Sequence, residues 1–164
     1  MVEQNINSKF EVMSKINYVV GDATQPQGKG TKIICHICND MGAWGAGFVM
    51  ALSNKWAYPE QRYRALAQYE LGTAMVLLVD KEQDIYVANM IAQHRCRPSL
   101  DGTPPIRYTA LVEALEKVNT IAEKLGAGLH MPRIGAGLAG GDWKTIETII
   151  EQCTTVPVTV YDLP

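Results

Sequence analysis

Met131-Pro132-Arg133-Ile134-Gly135-Ala136-Gly137-Leu138-Ala139-Gly140-Gly141-Asp142 is the stretch on which the reading of this chain turns. It leaves a short apolar run, Leu129–Met131, packs four glycines between Gly135 and Gly141, and gives way to Trp143, Ile146, Ile149 and Ile150 at helical spacing. Strand, glycine turn and helix form the repeating unit of an α/β protein, whose ligands gather where strands end and helix starts present backbone N–H groups. Asp142 stands where an N-cap belongs, with a carboxylate short enough to accept from the first helical turn.

Two more segments of the same kind lie upstream. Asn39-Asp40-Met41-Gly42-Ala43-Trp44-Gly45-Ala46-Gly47 holds three glycines just before a helical stretch, more than an ordinary turn between strand and helix needs. Gly21-Asp22-Ala23-Thr24 follows the β-branched run Ile16–Val20, where a carboxylate can either cap its own turn or accept from an exocyclic amine. Neither glycine loop ends in Gly-Lys-Ser/Thr, which argues against a nucleotide triphosphatase and for a diphosphate held by neutral backbone dipoles.

Between these loops, Ile16–Val20, Lys32–Cys38, Ala74–Val79, Ile85–Ile91, Leu129–Met131 and Val156–Tyr161 read as strands. Phe48–Trp56, Pro59–Leu71, Tyr108–Leu125 and Asp142–Cys153 read as helices, the third with Leu111, Leu115, Val118, Ala122 and Leu125 on one stripe. Several strands lack polar alternation, as in a sheet covered on both faces, and the acidic turn Asp80–Asp84 reads as a hairpin. The class is α/β with a mixed central sheet. The chain, 1–164, is read as a single domain, with residues 1–14 either a peripheral lead-in or an added strand.

A net charge of −2 with scattered basic residues leaves no footprint for tracking a nucleic-acid backbone. The longest uncharged stretch, Met41–Asn54, is shorter than the ~18 residues that suggest a membrane span. The polar N-terminus lacks the order of a secretory signal, and few cysteines suit a reducing compartment, so the expected location is cytoplasmic. Cys35 and Cys38 read as core thiols on opposite faces of a strand rather than as a zinc or redox pair. His36 and His130, inside strands, read as core histidines, and Trp44 and Phe48, at a helix start, either as core aromatics or as a cover for a ligand in the adjoining loop. His94, in a polar loop with Arg95 and Arg97, is a candidate general base or phosphate ligand, or a plain surface histidine. No pattern calls for a metal or an organic cofactor.

Gly21–Thr24 after a strand, His36-Ile37-Cys38-Asn39 leading into Gly45-Ala46-Gly47, and Met131–Leu138 before Trp143 together resemble a macrodomain. The closest character is that of the branch holding the terminal ADP-ribose protein glycohydrolase and the yeast ADP-ribose 1″-phosphate phosphatase. The resemblance covers roughly residues 15–163 and implies a three-layer α/β/α fold with ADP-ribose, or an ADP-ribosylated molecule, along the strand ends. It implies that Asp22, beside Ala23, takes the adenine amine. It assigns Asn39, Asp40, Gly45, Ala46 and Gly47 to the distal ribose, and Ile134, Gly135, Ala136, Gly137 and Leu138 to the diphosphate. The glycohydrolase relatives use a nucleophilic lysine and an assisting aspartate; here the matching positions read Ala92-Gln93-His94-Arg95 and Ala139, without either. Asp40 and His94 are then the candidates for catalysis by an activated water, and a reader of ADP-ribose without chemistry is the alternative.

Overall fold

A computed structural model of the chain describes residues 16–164, so the expectation for residues 1–14 lies outside the described residues. Six strands form one sheet: β1 (Ile16–Val20), β2 (Lys32–Asn39), β3 (Ala74–Asp80), β4 (Ile85–Gln93), β5 (Gly128–Met131) and β6 (Val158–Asp162). Their order is β1-β6-β5-β2-β4-β3. All neighbours are parallel except β3, which pairs antiparallel with β4 through the Asp80–Asp84 turn. That turn is closed by Asp80 Oδ1 accepting from Gln83 N at 2.9 Å, with Asp84 left-handed at φ 56°.

Helices α1 (Phe48–Lys55), α2 (Tyr58–Arg64), α3 (Tyr108–Leu125) and α4 (Trp143–Cys153) cover the sheet. On one face Leu111, Leu115, Val118 and Ala122 of α3 and Ile146 and Ile150 of α4 meet Ile33, Ala88, Leu129 and Val160 in the largest core. Burying each large aliphatic side chain contributes roughly 1.5–3 kcal/mol. On the other face Leu52 packs on Ile34 and Val87, and Trp44 and Val49 on Cys38 and Ile91. Cys35 and Cys38 thus belong to cores on opposite sides of the sheet, as their spacing requires.

The helix over Pro59–Leu71 stops at Arg64. Leu66, Tyr69 and Leu71 pack instead around Cys38, Trp44, Tyr63 and Ile91, and that burial outweighs the helix propensity of Ala65–Gln68. Strand β6 begins at Val158 rather than Val156, after Pro157, which lacks the N–H a ladder needs. Leu125 falls off the buried stripe, 37% exposed, where α3 ends at left-handed Gly126.

Candidate functional site

Five parallel strands bring their C-terminal ends to one edge of the sheet, and with them the loops Gly21–Thr24, Asn39–Gly47, the segment after Gln93, and Pro132–Asp142. Between the two glycine loops lies a cleft of about 280 Å³, lined by Ala46, Gly47 and Phe48 on one side and Ile134, Gly135, Gly137 and Leu138 on the other. It continues into a second space of about 460 Å³ bordered by Asn39, Gly45, Gln93, Cys96 and Arg97. The loops nearly touch, since a Cβ on Gly47 would stand 3.5 Å from Leu138 Cδ1.

The glycines divide by cause. Gly47 and Gly135 hold φ of +81° and +73°, and a Cβ on Gly135 would lie 2.5 Å from Ile106 Cδ1. Gly45 and Gly137 answer no such internal demand: their φ lies outside the left-handed region and nothing stands within 4 Å of a built Cβ. They are the two glycines of the chain of which both statements hold, and each borders the cleft from a different loop.

Asn39 fixes the first loop from within. Its Oδ1 accepts from the amides of Met41 (2.9 Å) and Ala43 (3.1 Å), its Nδ2 donates to Ala43 O (2.7 Å), and the buried Tyr63 hydroxyl lies within 2.9 Å of the same Oδ1. The side chain is spent on loop geometry, which sets where Gly45–Gly47 can stand.

Asp40 and His94, 54 positions apart, are joined. His94 Nδ1 lies 2.7 Å from Asp40 Oδ2, and the Arg95 amide donates to Asp40 Oδ1 at 2.8 Å. Burial pushes the Asp40 carboxyl up, but the Arg95 amide and the His94 ring together outweigh it and hold the carboxyl below its ordinary value. A carboxylate at Nδ1 keeps the proton on that nitrogen and leaves the lone pair on Nε2, as in an oriented general base, although neither His94 nor Asp40 is among the residues that line the cleft. The contact is made possible by a register shift between Cys38 and Asn39, which sets Asn39 opposite Gln93.

Asp22 follows β1 on the same edge but does not line the cleft; its Oδ1 accepts from Thr24 N and Oγ1, both at 2.8 Å, and Oδ2 has no partner among the described residues. Ala23 beside it is 3% exposed. His36 forms part of the cleft floor: 2% exposed, its Nε2 lies 2.5 Å from Asn89 Oδ1, and burial pushes its pKa down to about 4. Because Asn89 Nδ2 donates to Pro59 O, Oδ1 is the acceptor and His36 carries its proton on Nε2. Trp44 is buried against Tyr63, with its indole N–H on Ser53 Oγ (2.8 Å). Asp142 caps α4 as expected, Oδ2 accepting from Thr145 N at 3.0 Å.

Sequence reasoning missed Gln93 and Arg133. Gln93 borders both spaces, and its position beside His94 was the available signal. Arg133 pairs with Asp162 through Nε (2.7 Å) and Nη2 (3.1 Å), with its guanidinium 5.2 Å from both the Tyr18 and Trp143 rings. That stack brings together residues from three distant stretches, which no local pattern announces.

A doubly covered α/β sheet with two glycine loops around a cleft at its parallel strand ends defines a ligand-binding α/β/α protein. No family model matches the chain. A macrodomain protein from Streptomyces coelicolor is 44% identical, covering 90% of this chain and 99% of that one with a TM-score of 0.76, and the chain belongs to the macrodomain family. A protein of unknown function from Bacteroides thetaiotaomicron is 47% identical over 91% of this chain and 98% of that one, with a TM-score of 0.86. Among curated proteins, a mouse chromodomain-helicase-DNA-binding protein 1-like is 35% identical over 92% of this chain, which spans 18% of that protein's length. An ADP-ribose 1″-phosphate phosphatase of Saccharomyces cerevisiae is 25% identical over 92% of this chain and 100% of its own. No helix among the described residues is long and apolar enough to cross a membrane.

Proposed function

We propose that the chain binds ADP-ribose in the cleft and hydrolyses a 1″-linked derivative of it, a phosphate or an ADP-ribosyl ester. The observation that carries this reading is the pair Gly45 and Gly137, whose missing side chains serve no neighbour in the protein and leave room for a ligand pressed against both loops. The amides of Ile134–Leu138 would hold the diphosphate without a compensating cation. Gly45, Ala46 and Gly47 would border the distal ribose, and the unused Oδ2 of Asp22 would accept from the adenine amine. His94 Nε2, oriented by Asp40, would take the proton of a water attacking the 1″ centre, or the phosphorus of a 1″-phosphate. The proton then passes to the leaving oxygen, and no enzyme adduct forms. The whole-length likeness to the yeast phosphatase supports that substrate class.

The alternative, a reader without chemistry, is favoured by the absence of a lysine in Ala92–Arg95. We also read the chain as one domain, and a reducing cytoplasm fits its four free cysteines. Mass spectrometry of reactions with ADP-ribose 1″-phosphate, O-acetyl-ADP-ribose and ADP-ribosylated protein and DNA separates the two. Turnover of any one of them, without a borohydride-trapped lysine adduct, supports the hydrolase; binding without turnover of all four leaves the reader.

A further inference from the structure

The N-terminal edge of the sheet, opposite the cleft, carries a groove of about 640 Å³ lined by the Gln27–Thr31 segment, the end of α3, Gly128, His130, Pro157 and Thr159. The sheet face beneath it is polar by register. Lys32 on β2 pairs across from Gly128, Ile34 from His130, and His130 from Thr159, so Lys32, His130 and Thr159 crowd one face.

The protonation of His130 follows from its neighbours. Gln27 N donates to Tyr161 Oη at 2.8 Å, and burial pushes that phenol's pKa up, so the hydroxyl keeps its proton. Tyr161 Oη lies 2.7 Å from His130 Nδ1, which is the one acceptor within reach of the phenol proton among the described residues, so the hydroxyl donates there. The ring is neutral, with its pKa pushed down to about 4 by burial and by the Lys32 charge. Its own proton therefore sits on Nε2. His130 is 8% exposed, yet Nε2 has no acceptor among the described residues and is not sealed from solvent. It opens to the groove beside Gly128, where an added Cβ would stand 3.6 Å from it.

Lys32 is 7% exposed, donates from Nζ to Gly30 O at 2.8 Å, and pairs with no carboxylate among the described residues. His130 Nε2–H thus faces the groove without a protein acceptor, while the Lys32 ammonium, on the same sheet face and held by Gly30 O, is not itself part of the groove lining. Glu123, the acidic side chain of the lining, is exposed at the rim.

We propose that this groove is a second ligand site, which takes the oxyanion, phosphate or carboxylate, of a small molecule on His130 Nε2–H, with the Lys32 charge on the same sheet face adding to the positive potential there. The test is an NMR titration of the full chain, following the His130 ring, with inorganic phosphate and separately with acetate. A saturable shift with one anion supports the site and names its chemistry. His130→Phe and Lys32→Met each weaken that binding about tenfold or more, and His130→Gln, which keeps an N–H donor, restores part of it. No saturable shift with either anion overturns the proposal, as does undiminished binding in both folded variants. The wild-type titration decides the matter even where a variant fails to fold. ADP-ribose affinity at the other edge stays unchanged throughout, so the two sites succeed or fail separately.

Discussion

Adding one methyl group to different glycines of the cleft has opposite consequences. At Gly45 or Gly137 the methyl meets no protein atom within 4 Å, so Gly45→Ala and Gly137→Ala leave thermal stability unchanged or raise it by up to ~1 kcal/mol through the unfolded chain. Each is expected to weaken ADP-ribose binding about tenfold or more by calorimetry, since the space the methyl takes is the ligand's. Gly135→Ala costs roughly 1–3 kcal/mol of stability, because its φ is left-handed and Ile106 stands in the way. Equal binding by wild type and both of the first variants would remove the two glycines from the site. At His94, removal of the ring is expected to lower kcat about 10²–10⁴-fold while ADP-ribose affinity holds, since a general base acts in the transition state. Steady-state turnover beside calorimetry checks that separation.

At the scale of elements, Asp142 ties a helix to the loop that carries Gly137. Its carboxylate caps α4 on Thr145, and its amide donates to Tyr108 Oη at 3.0 Å at the start of α3. Asp142→Ala is expected to cost about 1 kcal/mol in chemical denaturation, within the usual range for an N-cap, and Asp142→Ser to recover most of it. This cap was legible in the sequence, as were all six strands, because each rests on a run of residues or a local turn. The early end of α2 was not, since Ala65–Gln68 favours helix and only the packing of Leu66 and Tyr69 overrides it. Asp40 and His94 were each legible as candidates, but their bond was not. It depends on a bulge between two parallel strands whose pairing spans half a hundred residues, and register of that kind leaves no trace in spacing.

For the whole molecule, two buried neutral histidines set the acid limit of stability. His36 and His130 titrate near 4 in the fold against about 6.5 when exposed, so the unfolded chain binds more protons between those values. Their stabilising contribution is full above pH 6.5 and is lost as pH falls toward 4, at up to ~1.4 kcal/mol per pH unit for each ring. Urea midpoints measured from pH 7 to pH 4 should fall accordingly, and a double variant His36→Gln, His130→Gln should flatten the slope even if it starts less stable.

The distribution of the thiols has a practical outcome for optical work. Cys35 and Cys38 are sealed in the two cores with their pKa values pushed far up by burial, and Cys153, half-buried, is shifted the same way by burial and by Glu116. Cys96 is the exposed one, and it sits on the wall of the cleft beside Arg97. A maleimide fluorophore offered briefly at neutral pH would therefore settle at the cleft mouth without mutagenesis, turning the native chain into its own sensor of occupancy.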